Sequence, residues 1–545
     1  MKNSRKFLKR SRLIIKTEVK KEKGITLIAL VITVIIMLIL AGVVITAVID
    51  GDGLFSKVRE AKETYENAVQ SENDKIQNLI EQMEASMNGS INGGGNGEGE
   101  IPGEVSEISV KLTDGMVPVT YNESDSSWYV ATEEEIKNNT WFDYVDTSIA
   151  GQENQSKWAN IMLRDNLKVE GITNATTATL EEMHGKKVTS EGSMYVWIPR
   201  YAYKMSSGYH TDQAGKILIK FLNTDNTYKD GSNVSVIISN PFAVMPNTST
   251  SFVVHPAFTW TKEDGTPVEL EGIWVGKFEA SSANASFGAT QAGNVQTSNN
   301  VILRTVGNVS SWRSINRNNI FLNCYNMNNE SNANIYGIST NKDIIDPHLI
   351  KNTEWGVAAY LAHSVYGRNG TEITANLSGT NTGNGNYKAN VTMSTTGNVY
   401  GIYDMAGGAN EDTAAYVEST INGTVSNTYL TSESYGKAVY EADDKYKDVY
   451  VVGKSDARVI NYAANADKYG DAVYETSYMS SDGTNYRACS WFNDSSDFPY
   501  KNEPFFVRGG SYNESNSITV GIFSYLNYTG GTSVTEGFRV VLTAL

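Results

Sequence analysis

Apolar and polar positions change their rhythm several times along this chain, and each change predicts a different element. From Ile25 to Ile49 the sequence runs without a charge. At 1.5 Å rise per residue, about 25 such residues span roughly 37 Å as a helix, enough to cross a bilayer with some tilt. Asp50-Gly51-Asp52-Gly53 then predicts a break. From Leu54 to Met87 the apolar residues Leu54, Val58, Ala61, Tyr65, Ala68, Leu79 and Met83 recur at three- and four-residue steps, the period of one helical face. This amphipathic stem either self-associates as a short coiled coil or lies against a folded head; Glu72 and Lys75 weaken the seam. Asn88 to Glu104 (NGSINGGGNGEGEIPGE) has neither period, and its Gly, Asn and Glu content predicts a flexible tether.

Beyond the tether the period shortens to two. Ile108-Ser109-Val110-Lys111-Leu112 alternates, Asp114-Gly115 predicts a turn, and Val117 to Tyr121 predicts a second strand. Residues 105–190 therefore read as a small β-rich region, with Trp128, Trp141, Tyr144 and Trp158 as its core. Further on, Glu354 to Leu361 has helical spacing with Trp355, Ala358, Ala359 and Leu361 on one side. Phe538 to Leu542 is a β-branched apolar run that predicts a buried closing strand. Gly401, Gly509 and Gly510 suit tight backbone turns. The fold class expected is α+β: an N-terminal transmembrane helix, a stem helix, a linker, and a strand- and loop-rich head over 191–545.

Charge sharpens this picture. Residues 1–24 are strongly basic, with Lys2, Arg5, Lys6, Lys9, Arg10, Arg12, Lys16, Lys20, Lys21 and Lys23 against Glu18 and Glu22. That flank belongs in the cytoplasm, so everything after Asp50 is expected outside the cell membrane. The formal net charge of the 545 residues is -16 despite the basic leader, so the exported part is strongly acidic. This argues against nucleic acid as a partner. The length suggests roughly two to four structural units. Cys324 and Cys489 are the only cysteines; they form either one disulfide or two separate thiols. There is no clustered Cys/His metal spacing, and His184, His210, His255, His348 and His363 are scattered singly.

The junction Lys23-Gly24-Ile25-Thr26-Leu27-Ile28 resembles the prepilin-type signal of type IV pilins and pseudopilins. The resemblance implies a prepilin peptidase cutting between Gly24 and Ile25 and leaving the apolar helix on the mature protein. The family usually carries glutamate at the fifth mature position, where this chain has Ala29, which weighs against assembly into a filament. An uncleaved signal anchor gives the same topology.

A second resemblance covers the head. Met194-Tyr195-Val196-Trp197-Ile198-Pro199-Arg200, Gly272-Ile273-Trp274-Val275-Gly276-Lys277-Phe278-Glu279, Asn352 to Leu361, Gly397 to Gly407, Val507-Arg508-Gly509-Gly510-Ser511-Tyr512 and Gly537-Phe538-Arg539-Val540-Val541 occur in an order that resembles the formylglycine-generating-enzyme (sulfatase-modifying-factor) domain, a loop-rich variant of the C-type lectin fold. The oxidases of that family hold copper through two cysteines shortly after the motif matched by Val507 to Tyr512. Ser511 to Tyr525 contains none, so thiolate ligation of copper is excluded there. The resemblance also implies a calcium ligand at Glu411, with Asp412 beside it; no other cofactor is expected. Finally, the stretch between Gly510 and Gly537 resembles the variable region of diversity-generating retroelement target proteins, which display changeable side chains on this fold. It implies a ligand-binding face on Tyr512, Asn513, Ser515, Asn516, Phe523, Tyr525, Asn527 and Tyr528, residue types that suit recognition for the reason antibody loops use them. The expected function is a non-catalytic surface protein that binds an extracellular glycan or protein. The alternatives are a minor pilin or pseudopilin and an enzyme with an unrecognised site.

Overall fold

Short β-branched and aromatic runs separated by Gly- and Asn-rich turns cannot each bury a face alone, so they pair across long sequence distances into sheets. The computed structural model describes residues 108–229, 251–282, 302–418, 427–451, 468–478, 488–514 and 520–545, with a few short pieces between them. Peptidase cleavage at Gly24–Ile25, the transmembrane span, the stem and the tether lie outside the described residues. Among the described residues no helix is long and apolar enough to cross a membrane.

The architecture is α+β, rich in strands and with few helices. One seven-stranded sheet has the order Ile345–Leu349, Val540–Ala544, Gly272–Gly276, Met194–Pro199, Asn160–Met162, Val117–Asn122 and Ser127–Val130, every neighbouring pair antiparallel. The closing strand predicted near Phe538–Leu542 sits inside this sheet, with Val540, Val541 and Leu542 fully buried. The same sheet corrects the boundary drawn at 190. Asn160–Met162 pairs directly with Met194–Pro199 and carries Val117–Asn122 and Ser127–Val130 beyond it, so the small β-rich region is the flank of the head's own sheet. Trp128, Trp141, Tyr144 and Trp158 are buried as expected.

A second correction concerns Ile108–Leu112. Its alternation suggests a strand, yet it joins no ladder. Its carbonyls serve side chains instead: Trp197 Nε1 donates to Ser109 O at 3.1 Å and Trp274 Nε1 to Lys111 O at 2.9 Å. Two buried indoles thus find the acceptors that burial obliges them to have.

The second large sheet is built around Asn410–Glu418. On one side it pairs in parallel with Asp448–Val451 and near its start with Glu536–Phe538; on the other it pairs antiparallel with Phe505–Arg508, which in turn pairs with Tyr525–Tyr528. The helix Asn352–His363 packs against this sheet and the first. It is apolar nearly all round, and only Thr353 escapes burial, as expected for a helix inside a core. Glu354 folds back to accept from Lys351 N at 2.9 Å, and Asp448 accepts from Thr353 N at 2.8 Å, so two of the first turn's free donors are satisfied. Cys324 is buried, Cys489 is half-buried, and both are free thiols.

Candidate functional site

The last loop of the chain hangs between two buried arginines. Arg508 ends the Phe505–Arg508 strand and donates to Asp471 O at 3.1 Å and Ala472 O at 2.9 Å. Its guanidinium lies over the rings of Trp355 (5.5 Å) and Tyr525 (5.8 Å). Gly509 and Gly510 follow with φ of 82° and 74°. A Cβ at Gly510 would come within 2.9 Å of Val520 Cα, so the turn demands glycine for space as well as for torsion. At the far end Arg539 donates to Gly276 O (2.8 Å), Tyr403 O (2.9 Å) and both carboxylate oxygens of Glu411. Trp355 Nε1 donates to Ile522 O at 2.7 Å and pins the middle of the loop.

Between these anchors the expected ligand residues divide into two groups. Tyr512 is half-buried and Asn513 exposed. Tyr512 N donates to Gly408 O, while its hydroxyl accepts from Arg313 at 3.2 Å and its ring faces that guanidinium at 5.6 Å. Asn527 and Tyr528 are half-buried at the end of the Tyr525–Tyr528 strand. Phe523 and Tyr525 belong to the other group. Both are fully buried, so neither is a contact residue. Phe523 packs against Trp491 (5.1 Å) and His363 (5.7 Å), and Tyr525 against Phe506 (6.2 Å). Ser515 and Asn516 lie outside the described residues.

The structure adds residues that the loop's own sequence does not point to. The turn 529–535 is fixed from below by Arg313, whose Nη1 donates to Val534 O at 2.5 Å, by Ser314 N on Ser533 O at 2.7 Å, and by Arg317 N on Gly530 O at 3.0 Å. Gly531 lies against the ring of Tyr435, which packs edge-on to Tyr429 at 4.8 Å. Tyr528 donates back to Gly531 O at 3.3 Å. Tyr429, Tyr435, Tyr512 and Tyr528, all half-buried, therefore flank one turn that ends in the 54 % exposed Val534. The segment Thr428-Tyr429-Leu430-Thr431-Ser432-Glu433-Ser434-Tyr435 has the same Tyr/Ser/Thr character as the last loop, and that composition was the available signal. Nothing in the sequence shows that the two meet.

The calcium ligands implied by the resemblance are not free to bind a cation. Glu411 is held in a two-point pair by Arg539, and Asp412 is paired with Arg317; all four side chains are fully buried. A calcium ion needs six to eight oxygens, whereas both Glu411 oxygens and Asp412 Oδ1 are engaged by guanidinium groups. Among the described residues no group of three or more His, Cys, Asp or Glu side chains has the geometry to hold a metal. Glu279 lies close by, accepting from Ala409 N at 2.7 Å. Burial, with Asp404 and Glu411 beside it, holds its carboxyl well above the usual range.

No protein-family model matches this chain, and no curated protein matches it.

Proposed function

We propose that this chain is a bacterial surface protein that binds an extracellular glycan or protein through the tyrosine-flanked turn 529–535. In this reading Ile25–Ile49 anchors it in the cell membrane with the basic leader inside, and residues 54–104 form the stem and tether. The head, read as a C-type-lectin-like domain of the formylglycine-generating-enzyme type, is presented outside. The observation that carries the binding role is the convergence of Tyr429, Tyr435, Tyr512 and Tyr528 around one turn seated on buried Arg313 and Arg317. Tyrosine offers a large amphipathic contact area at low entropic cost, and a rigid base keeps that cost low.

One feature supports binding over catalysis. The stretch Ser511 to Tyr525 lacks the paired cysteines of the copper oxidases that the head motifs resemble. The exposed stretch of the last loop is also where a diversified protein of this fold class would vary. Codons for 512–514, 527–529 and 532–534 are therefore the positions where variation within a population is expected, with the codons for buried 520–525 held constant.

The test is binding of whole cells to a panel of immobilised glycans and surface proteins, comparing wild type with Tyr512→Ala and Tyr528→Ala. Loss of a wild-type interaction in both variants at unchanged surface abundance supports the reading. Retention in both removes the turn as the binding face. The Lys23-Gly24-Ile25 junction favours a second reading, a minor pilin; recovery of the protein in sheared filaments would support it.

A further inference from the structure

Away from the last loop, a cleft of about 310 Å³ opens between the Arg317–Tyr325 helix, the Lys437–Glu441 helix with Ala442 and Asp443, and the turn at Lys262-Glu263. We propose that it is a second ligand site, built for a neutral sugar ring. This proposal does not rest on the binding role of the tyrosine-flanked turn.

Half-buried Tyr325 supplies the apolar wall, backed by Phe321 and Tyr446, which are buried behind it. They are held rigidly: Phe321 and Tyr325 stack at 5.9 Å, Tyr446 meets Tyr325 edge-on at 5.3 Å, and Tyr446 donates to Asp346 at 2.8 Å. Asp346 is fully buried and also binds Lys342 at 2.9 Å, whose ammonium sits 3.8 Å from the Tyr325 ring centre. Lys445 bridges Asp346 and Glu263 at 3.3 and 2.8 Å. The inner charges of the cleft are thus neutralised among themselves.

The rim is different. Lys262 and Glu441 line the cleft without an ion pair to another described residue, and Asp443 stands beside them. The rim therefore offers strong donors and strong acceptors in one small space. An anion would face Glu263, Glu441 and Asp443, and a cation would face Lys262 and Lys445. A zwitterion would have to shed water from two charges, for ion pairs that an open cleft leaves screened. A neutral polyhydroxylated ring avoids both costs. Its hydroxyls donate to carboxylates and accept from ammonium groups in charge-assisted hydrogen bonds, while its C–H groups meet the exposed part of Tyr325. The volume suits one or two such rings. The cleft also sits at the C-terminal end of the nine-residue helix whose first residue, Arg317, donates to Gly530 of the last loop. The two sites are thus roughly 13 Å apart along that helix.

The experiment is titration of the full-length protein, in a detergent without a sugar head, with glucose, galactose, N-acetylglucosamine and glycine. Saturable binding is expected for at least one of the three sugars. Lys262→Met and Glu441→Gln, both at the rim, should each weaken it about tenfold, the loss of one charge-assisted hydrogen bond. Tyr512→Ala should leave it unchanged, which separates this site from the loop. The proposal is overturned if none of the sugars binds, if only glycine binds, or if both rim variants bind the sugar as wild type does.

Discussion

At Glu475 burial and hydrogen bonding oppose each other. The carboxyl is fully buried and accepts from Tyr203 Oη at 2.7 Å, Tyr360 Oη at 2.6 Å and Gly470 N at 2.7 Å. Burial wins and pushes its pKa up to about 7. Glu354 is the reverse case. Burial raises it, but the charges of His348 and Lys351 outweigh that and bring it down to about 2. The two act in separate pH windows. Between about pH 4.5 and 7 the unfolded chain has lost the Glu475 proton while the folded chain keeps it, so stability falls with rising pH by roughly 3 kcal/mol. Below about pH 4.5 the Glu354 contribution is lost as pH falls toward 2. Melting temperature against pH should show both limbs, and Glu475→Gln should make the upper one shallower, with Glu411, also pushed up to about 7, supplying what remains. At the Glu411–Arg539 pair, Glu411→Gln strands a buried guanidinium and should cost about 3–5 kcal/mol in urea unfolding. Added calcium should leave the wild-type midpoint unchanged, because Glu411 and Asp412 are each tied up in a buried pair with an arginine.

Among the elements, the sequence signals that proved readable were those whose chemistry is local. The helix around Glu354 to Leu361 is a run of helix-compatible apolar residues, and it forms over Asn352–His363. The run after Phe538 is β-branched and forms a buried inner strand of the first sheet, between Ile345–Leu349 and Gly272–Gly276. Ile108–Leu112 has equally good alternation but is no strand, since its acceptors go to two tryptophans far along the chain. Composition misled in the last loop for a related reason. Asn, Ser and Tyr dominate it, which hides that Val520 to Tyr525 turns inward to meet Trp355, Trp491 and Phe506. Tyr429 and Tyr435 were invisible as partners because only the folded chain brings them to Gly531. The Gly509-Gly510 turn is the element on which this arrangement depends. Gly510→Ala should destabilise the head by about 1–3 kcal/mol, because the residue has positive φ and Val520 fills the space its Cβ needs. Chemical denaturation measures this directly.

Over the whole molecule, the described residues after 108 belong to one folding unit that spans Ile101–Leu545. The strands Val117–Asn122, Ser127–Val130 and Asn160–Met162 complete its first sheet. A chain cut to 105–545 should therefore fold cooperatively. One cut to 191–545 should not, since the edge of Met194–Pro199 loses its partner and the apolar face beneath loses its cover. Circular dichroism melts of the two fragments decide this. If 191–545 melts as sharply as 105–545, the flanking strands are accessory.

The central claim is that the turn 529–535 and its tyrosines form a binding face. The most direct measurement is to screen purified full-length protein against glycans and cell-surface proteins, then repeat each hit with Tyr512→Ala and Tyr528→Ala. The account predicts that at least one hit weakens tenfold or more in both variants, about 1.4 kcal/mol or more apiece, with melting temperatures near wild type. Hits that all survive in both folded variants would contradict it.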